Sequence, residues 1–191
     1  SINEEIITNH DYIIPLAAIV GAPACNMFQN DAITINKDAV IKIVESSNDN
    51  QKIIFPTTNS GYGATSGEMY CDENTPLEPI SLYGKLKKEV ETLLMKRENS
   101  VCFRLATVFG VSPRHRRDLL VNDFVFKALK DRSISLFEPH FKRNYVHIKD
   151  VARAYLFAIQ NFERLKGEVF NLGMSDANLS KMELCEKIKK N

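Results

Sequence analysis

An α/β fold, with a parallel sheet covered by helices on both faces, is the fold class that the sequence predicts. Apolar, β-rich runs alternate along the chain with stretches of helical periodicity. The runs are nearly continuous in apolar residues, which is typical of parallel strands buried on both faces. With 191 residues, the chain is also long enough to bury a substantial core.

The predicted elements follow one another in a regular order. The strands are "DYIIPLAAIV", "KIIFPTT", "SVCFRLATVFG", "SISLFE" and "GEVFNLG", and the helices span roughly residues 31–46, 81–97, 118–131, 149–162 and 180–190. One long polar stretch, "SGYGATSGEMYCDENTPLEP", leads from a strand end to the helix that begins near Ser81. Because ligands of open α/β sheets bind beyond the carboxyl ends of the strands, we expect this loop to border a functional site.

Charge and composition argue against several classes of partner. The 25 basic and 24 acidic residues leave a net charge of +1, so we expect neither nucleic acid nor a membrane surface as a partner. The longest apolar run, "IIPLAAIVGAPAC", contains two prolines and is too short to span a bilayer. The four cysteines lack both a CxxC pair and metal-ligand spacing. We therefore expect reduced thiols, no metal and a cytoplasmic location.

Both ends of the chain interrupt patterned segments. The chain begins without methionine, in a polar and acidic stretch unlike a signal peptide, and stops within "KMELCEKIKKN", which still has helical character. We therefore expect an internal piece of a longer protein. A small self-contained domain is the alternative.

Tyr83 and Lys87 lie four positions apart in "SLYGKLK", at the start of a helical segment. The apolar stripe of that segment consists of Leu82, Leu86, Val90, Leu93 and Leu94. At about 100° per residue, Tyr83 and Lys87 fall on one side of the helix, one turn apart, whereas Lys85 and Lys88 point elsewhere.

This spacing suits a tyrosine that acts as a base. Tyrosine has an ordinary pKa of about 10, so proton transfer at neutral pH needs about 4 kcal/mol of help. An ammonium group about 4 Å away supplies about that much at an effective dielectric constant of about 20. The plainer alternative is a tyrosine that covers the core and a lysine in solvent, because a YxxxK spacing alone is a weak signal.

Two further stretches stand directly after predicted strands. "IIFPTTNSGYG" ends a strand in the hydroxyl-bearing residues Thr57, Thr58 and Ser60, which would face the crevice at its carboxyl end. An ordinary serine- and threonine-rich turn is the alternative. "LAAIVGAP" supplies small residues where a flat ring or a ribose could approach the backbone, and close packing of a helix on the sheet is the alternative.

Together and in this order, these stretches resemble the extended short-chain dehydrogenase/reductase family, the NAD-dependent nucleotide-sugar epimerases and dehydratases. "LAAIVG", "TTNSGYG", "YGKLK", "FRLATVFG", "RNYVHIKDVARAY" and "EVFNLG" fall where that family has its motifs, over nearly the whole chain. The resemblance implies a Rossmann-like doubly wound parallel sheet. It also implies an internal fragment that lacks the first strands and the carboxyl-terminal part of the substrate domain.

The resemblance implies three catalytic roles. Tyr83 would deprotonate a sugar hydroxyl while hydride passes from the same carbon to NAD, with NADP not excluded. Lys87 would lower the pKa of Tyr83 and hold the nicotinamide ribose. Thr58, four residues before Tyr62, would hydrogen-bond the reacting oxygen.

The resemblance also implies cofactor contacts beyond Tyr83 and Lys87. Leu16, Ala17 and Ala18 match the turn that lines the cofactor in the family. Asn36 matches an asparagine that braces the cofactor loop, although an exposed helix position would explain an asparagine there equally well.

Substrate contacts are implied further along the chain. Arg143 in "KRNYVHIKD" matches an arginine that grips the substrate diphosphate, which suits a guanidinium fork. Asn122 matches a substrate-binding asparagine, and Thr107 stands where the family usually has an asparagine in contact with substrate. The cluster "RHRRD", residues 114–118, either contacts phosphate or forms a solvated turn. We expect His147 to be a structural histidine.

Two features depart from the family pattern. The glycine-rich loop that binds the cofactor pyrophosphate is absent, because the eight glycines never form GxxGxxG, and we expect the fragment alone to bind cofactor poorly. Pro15 replaces the histidine of the family's "HLAA", and together with Thr107 it indicates a divergent branch. "PLAAIVGAP", "RLATVFGVSPR" and "DLLVNDF" are similar to a branch that oxidises C4 of a GDP-linked manno-heptose for bacterial surface polysaccharides.

Three functions remain open from the sequence. The leading hypothesis is an NAD-dependent oxidoreductase acting at C4 of a nucleotide-diphospho-sugar. A 4-epimerase would use the same residues, and a non-catalytic NAD-binding regulator could share the fold. The positions after Thr58, acidic in the family's 4,6-dehydratases, are Asn59 and Ser60, so we expect no loss of water.

Domain organisation and assembly are predicted as follows. We expect residues 1–112 to form the carboxyl-proximal part of the NAD-binding domain, with the catalytic residues. Residues 113–191 would combine a substrate-binding region with a returning Rossmann strand and helix. The helices near 31–46 and 81–97 would pair across a two-fold axis, as they do in the family, to give a homodimer with a four-helix bundle.

Overall fold

The structure is a computed structural model that describes residues 4–64 and 70–190. The helices are α1 (Glu4–Thr8), α2 (Ala22–Met27), α3 (Gln29–Ile33), α4 (Ala39–Ser46), α5 (Leu82–Leu94), α6 (Leu120–Lys130), α7 (Ile148–Gln160), α8 (Phe162–Leu165) and α9 (Lys181–Lys190). The strands are β1 (Tyr12–Ile13), β2 (Lys52–Thr58), β3 (Ser100–Leu105), β4 (Thr107–Phe109), β5 (Lys142–His147), β6 (Glu168–Leu172) and β7 (Asn178–Ser180). Residues 65–69 of the predicted long loop lie outside the described residues.

A four-stranded sheet in the order β1-β2-β3-β6 carries the first part of the chain. β2 runs parallel to both β1 and β3, and its register with β3 extends from Ile53 opposite Ser100 to Thr58 opposite Leu105. Helices separate these strands along the chain, as parallel connections require. The predicted α/β fold with a Rossmann-like parallel sheet is confirmed.

The chain divides into two compact units. The first comprises residues 1–105 and 155–171, and the second comprises residues 106–154 and 172–191. The core of the first unit consists of Val40, Ile53, Phe55, Val90, Leu94 and Cys102. These residues come from α4, β2, α5 and β3, so helices and sheet share one apolar core.

The second unit contains a three-stranded sheet in the order β4-β5-β7. β4 is parallel to β5, whereas β7 is antiparallel to it. The apolar core of this unit consists of Val121, Phe124, Tyr145 and Leu184, with α6 and α9 supplying its helical part.

Three strand predictions need correction. The strand predicted over "DYIIPLAAIV" ends at Ile13, because Pro15 cannot donate to a ladder and the chain continues without regular structure. "SVCFRLATVFG" divides at Ala106 into β3 and β4, which belong to different sheets. "SISLFE" is not a strand: left-handed backbone at Arg132 (φ 53°) and Glu138 (φ 50°) turns the chain at both ends of the run.

The helix predictions hold better. α5, α6, α7 and α9 lie close to the predicted bounds, although α5 ends at Leu94. The helix predicted over 31–46 consists of α3 and α4 with a π-helical turn, Thr34–Asp38, between them. In the described part of the chain, no helix combines the length and apolar character needed to cross a membrane. Its cysteines, Cys25, Cys71, Cys102 and Cys185, are all free thiols.

Candidate active site

β2 ends at Thr58, where the chain enters a 3-10 turn over Asn59–Tyr62. Thr58 Oγ1 accepts a hydrogen bond from the backbone N–H of Ser60 at 3.1 Å, which fixes the turn. Thr57 and Thr58 are both buried. The hydroxyl-bearing turn expected from the sequence is present, and the Thr58 hydroxyl caps it.

Most of β2 has no neighbouring strand on the side of β1, because β1 is only two residues long. β1 pairs with only two residues of β2, and after Ile13 the chain runs through Leu16, Ala17 and Ala18 without regular structure. Leu16 is 67% exposed, Ala17 is exposed and Ala18 is half-buried. Backbone that a flat ligand could approach is therefore present where the sequence places it.

Asn36 holds the segment that follows Ala18. Its Oδ1 accepts from the Ile19 N–H and its Nδ2 donates to the Ile19 carbonyl, both at 2.8 Å. Nδ2 also lies 3.7 Å from the Cys25 sulfur. Asn36 lies in the π-helical turn and is 1% exposed, so the alternative of a surface asparagine is wrong. Its amide pairs with a backbone unit much as a neighbouring strand would.

The first turn of α5 lies close to the 3-10 turn. Ser81 caps the helix, its Oγ accepting from the Gly84 N–H at 3.1 Å. A Cβ on Gly84 would lie 3.1 Å from the Ser60 carbonyl oxygen, so the missing side chain permits this approach. Tyr83 is half-buried and packs against the apolar cluster that contains Cys25.

Lys87 is buried, at 3% exposure, although its side chain can carry a charge. Its Nζ donates to the Pro56 carbonyl at 2.8 Å and lies 4.3 Å from the centroid of the Phe55 ring. Burial lowers the pKa of Lys87 from 10.5 to about 8, and the nearby thiols of Cys102 and Cys25 act weakly in the opposite direction. The alternative of a lysine in solvent is therefore wrong.

Its helical position distinguishes Lys87 from the lysines beside it. Lys85 is exposed, and Lys88 is half-buried with Nζ donating to a loop carbonyl at 2.7 Å. Cys25 touches Asn36, belongs to the cluster that packs on Tyr83, and interacts electrostatically with Lys87. The buried Cys25 thiol therefore contacts Asn36 and lies in the same region as Tyr83 and Lys87.

A buried ion pair lies further along α5. Arg104 of β3 and Glu91 are 6% and 4% exposed, and Arg104 Nη2 lies 2.7 Å from Glu91 Oε1. Arg104 Nη1 donates to the Tyr62 hydroxyl at 2.9 Å and to the Glu73 carbonyl at 3.0 Å. The pair therefore links α5 and β3 with the start of the long loop at Tyr62 and with its middle at Glu73.

Asn122 of α6 belongs to the second unit and is buried at 7% exposure. Its Oδ1 accepts from the Gly110 N–H at 3.2 Å, and its Nδ2 donates to the Arg116 carbonyl at 2.9 Å. The amide thus joins the residue after β4 to the segment that precedes α6. Its contact with substrate stays a prediction.

The remaining predicted substrate residues also belong to the second unit. Thr107 is half-buried on β4, and Arg143 is exposed on β5, opposite Leu179 of β7. The His147 ring packs edge-on against Phe109 with centroids 5.3 Å apart, which fits the structural role expected of it.

The arginine-rich cluster before α6 is partly engaged within the protein. Arg116 Nε donates to Asp118 Oδ1 at 2.7 Å, and the guanidinium of Arg117 lies 5.1 Å from the Phe126 ring centroid. These contacts favour a turn held by its own side chains over a site with several unpaired arginines.

No sequence pattern singled out Glu91, Arg104, Cys25 or the Pro56 carbonyl. Arg104 interrupts the apolar run "SVCFRLATV", and Glu91 follows Val90 of the apolar stripe. A charged residue within such a run signals a buried partner, since burying an unpaired charge is costly. Neither signal could have identified the partner.

The family model for the NAD dependent epimerase/dehydratase family matches residues 2–173. The chain is 26% identical over 193 aligned residues to UDP-glucuronate 4-epimerase 4 of Arabidopsis thaliana, covering 87% of this chain and 43% of that protein. It is 25% identical over 178 residues to UDP-glucose 4-epimerase of Lactobacillus helveticus, covering 81% and 53%. The chain thus spans about half the length of the curated relatives it matches.

Two solved structures are similar in fold over 98% of this chain. UDP-glucose 4-epimerase with UDP-glucose, from Thermotoga maritima, superposes with a TM-score of 0.85 at 25% identity and is covered over 65% of its length. UDP-glucuronic acid 4-epimerase from Bacillus cereus, in complex with UDP-glucuronic acid and NAD, gives 0.84 at 26% identity and is covered over 61%. Because the family model matches most of this chain, the chain belongs to the NAD-dependent epimerase/dehydratase family.

Proposed function

We propose that this chain carries the catalytic centre of an NAD-dependent enzyme that performs redox chemistry at C4 of a nucleotide-diphospho-sugar, with 4-epimerisation as the net reaction. The observation that carries the proposal is the burial of Lys87 one helical turn from Tyr83, beside the strand that ends at Thr58. The names of the relatives support the choice of epimerisation.

In this proposal Tyr83 takes the proton of the C4 hydroxyl. Thr58 donates its hydroxyl hydrogen to the oxygen of that hydroxyl, because the bond that it accepts from the Ser60 N–H uses only a lone pair. Lys87 carries a positive charge close to the tyrosine, which favours the phenolate. When bound, NAD would supply the acceptor for the hydride that leaves C4, the carbon whose hydroxyl loses its proton.

The residues present fit the nicotinamide end of such a cofactor. The backbone of Leu16, Ala17 and Ala18 is accessible and is braced through Asn36. The Lys87 ammonium, an amine with three donors, is paired with a single carbonyl oxygen at 2.8 Å, so it retains donors for ribose hydroxyls. The glycine-rich pyrophosphate loop of the family is not among the 191 residues, so the fit concerns this end alone.

For the second unit we propose substrate contacts by Thr107, Asn122 and Arg143. Arg143 is exposed and would pair with the diphosphate through its guanidinium fork. Asn122 already uses its amide on the backbone of Gly110 and Arg116, so its contribution would be to shape the loops that meet the sugar.

Dehydration is disfavoured by the side chains near Thr58. Asn59 and Ser60 cannot act as the acid and base that removal of water requires. Two acidic residues further along the loop are engaged elsewhere: Asp72 Oδ1 accepts from the Thr75 N–H at 2.9 Å, and Glu73 Oε1 accepts from the Asn171 N–H at 2.6 Å. Hydrogen bonds from Thr75 also keep the pKa of Asp72 low, so it is a poor proton donor.

Net oxidation of a GDP-linked heptose is the second candidate. The motif similarity to that branch, with Pro15 and Thr107 as departures from the common pattern, favours it. The two candidates differ in their products. An epimerase returns the hydride to C4, whereas a C4 dehydrogenase leaves a keto sugar and reduced nicotinamide.

One experiment separates these functions. The full-length gene product is incubated with NAD and, in turn, UDP-glucose, UDP-glucuronate and GDP-mannose as a commercially available GDP-hexose. Proton NMR reads the configuration at C4 and absorbance reads reduced nicotinamide. Inversion without net reduced nicotinamide supports the epimerase, and stoichiometric reduced nicotinamide supports the dehydrogenase. If neither appears with any sugar nucleotide while NAD binds, a non-catalytic NAD-binding role replaces the proposal.

We also propose that the protein is a homodimer through the helices near 31–46 and α5. The exposed positions of that first helix include Ile35 at 36%, and Phe28 just before it is 52% exposed. Apolar surface of this kind suits a helix pair across a two-fold axis.

A further inference from the structure

We propose that Arg104 is a positioning residue whose guanidinium holds residues 70–80, here called the strap, against the turn that begins at Thr58. By doing so it fixes the spacing between Thr58 and the Tyr83–Lys87 pair of α5. The catalytic meaning of this inference rests on the proposed function, whereas the holding of the strap is a separate structural claim.

The guanidinium of Arg104 uses all three of its nitrogens inside the first unit. Nε lies 3.1 Å and Nη2 lies 2.7 Å from Glu91 Oε1, and Nη1 donates to the Tyr62 hydroxyl and the Glu73 carbonyl. These partners come from α5, the 3-10 turn and the strap. A planar fork with fixed donor directions can hold three segments at set distances, which a lysine ammonium cannot.

Tyr62 passes this constraint on to the strap. Its hydroxyl accepts from Arg104 and lies 3.0 Å from the Asp72 carbonyl and 2.7 Å from Asn171 Oδ1. Asn171 in turn donates from Nδ2 to the Cys71 carbonyl at 3.2 Å. The first half of the strap is therefore tied to the sheet by buried or half-buried polar contacts.

The second half of the strap closes over the 3-10 turn. A Cβ on Gly61 would lie 3.2 Å from the Leu77 side chain, and one on Gly63 would overlap the Glu78 carbonyl oxygen at 2.1 Å. Gly63 also has a φ of +76°, which a larger residue adopts only with strain. The strap therefore packs directly on the residues that follow Thr58, with no room for a side chain between them.

The position of the ion pair relates it to the catalytic residues. Arg104 stands opposite Thr57 in the β2–β3 register, one residue before Thr58, and Glu91 lies one helical turn beyond Lys87 on α5. A buried ion pair contributes little net stability, because desolvation offsets the attraction between the charges. Its effect is therefore on geometry: it joins the strand that carries Thr58 to the helix that carries Tyr83 and Lys87.

The test uses Tyr62→Phe, which keeps the buried ring and removes the hydroxyl that is one of two links between Arg104 and the strap, the other being the Glu73 carbonyl. Tyr12→Phe is the matched control, since the Tyr12 hydroxyl donates to the Ile159 carbonyl at 3.0 Å and Tyr12 pairs with the first residue of β2. In the full-length gene product, Tyr62→Phe should lower kcat by about tenfold or more and leave the substrate KM within about threefold. Tyr12→Phe should leave both within about twofold of the wild type. Arg104→Lys, which keeps the charge but not the fork, should match or exceed the loss of Tyr62→Phe.

Hydrogen exchange read by mass spectrometry supplies a measurement that does not depend on turnover. Peptides covering the strap should exchange about ten- to a hundredfold faster in Tyr62→Phe and in Arg104→Lys than in the wild type or Tyr12→Phe, because buried hydrogen bonds to the strap have been lost. Unchanged exchange in both variants would overturn the claim that Arg104 holds the strap. Faster exchange with unchanged kcat would overturn the positioning role. If the wild type itself fails to act on a sugar nucleotide, the proposed function fails, and the exchange result alone decides the structural claim.

Discussion

The burial of Lys87 makes a prediction about stability against pH. Burial holds the pKa of Lys87 at about 8 in the folded protein, against 10.5 when the chain is unfolded and the side chain is hydrated. The difference means that burial disfavours the charged form of Lys87 by about 3 kcal/mol. Because Lys87 is only 3% exposed, solvent screening does not reduce this figure much.

The sign follows from proton binding. Below pH 8 both states hold the proton, so the folded state bears the full cost of the buried ammonium. Between about pH 8 and pH 10.5 the unfolded state holds the proton and the folded state has lost it, so stability rises with pH. Above that range the contribution is constant. From pH 7 to pH 10 the free energy of unfolding rises by about 2 to 3 kcal/mol.

The assay is urea unfolding of the wild type and of Lys87→Met at several pH values from about pH 7 to pH 10. The difference between their free energies of unfolding cancels the groups that lie far from Lys87 and reports Lys87 together with the thiols it interacts with, Cys25 and Cys102. The stability of Lys87→Met relative to the wild type should fall by about 2 to 3 kcal/mol over this range, whatever the difference at pH 7. Lys85→Met, which replaces an exposed lysine of the same helix, is the control for the loss of a positive charge.

A parallel pair of curves for the wild type and Lys87→Met would refute the reasoning. It would mean that the Pro56 carbonyl and the Phe55 ring compensate the ammonium for its lost hydration, so that burial does not lower its pKa.

Three further predictions concern the proposed enzyme. Tyr83→Phe should lower kcat by about a hundredfold or more with little change in substrate KM, measured by steady-state kinetics; near-normal turnover would remove Tyr83 from the mechanism. Mass spectrometry of the product should show no loss of a water molecule, because Asn59 and Ser60 replace the acid and base; a dehydrated sugar nucleotide would contradict this. Light scattering on the full-length gene product should give the mass of a dimer, and a monomer at micromolar concentration would rule out the helix-pair interface.

The periodicity of the sequence was enough to place α5 and its polar residues. Leu86, Val90 and Leu94 recur at helical spacing, Ser81 supplies a cap, and the structure buries all three apolar residues. The same spacing assigned Lys87 and Lys85 to different sides of the helix, and one is buried and the other exposed. The local sequence is sufficient here because the apolar stripe of the helix determines which of its sides packs on the core.

Asn36 shows where the local sequence is not sufficient. From the sequence, an asparagine on a helix is as compatible with an exposed position as with a buried one. The burial of Asn36 depends on its hydrogen bonds to the backbone of Ile19, 17 residues away in the chain. "SISLFE" fails for a related reason: its alternation suits a strand, but Phe137 is 80% exposed and Ile134 and Leu136 pack instead against the core of the second unit. In both cases a partner distant in the sequence decides the outcome.

Several departures from regular secondary structure in the first unit lie near Lys87 and Asn36. Proline within a central strand normally argues against a strand, yet Pro56 stands in β2 between β1 and β3. It is tolerated because β1 pairs with only the first two residues of β2, so the sheet beside Pro56 is open and its carbonyl is available to Lys87. The π-helical turn places Asn36 against the segment that continues from the same short strand. The short β1, the proline within β2 and the π-helical turn each weaken regular structure, and all three lie near Lys87. Such departures from regular structure are expected at a functional site, where particular side chains must be held in place.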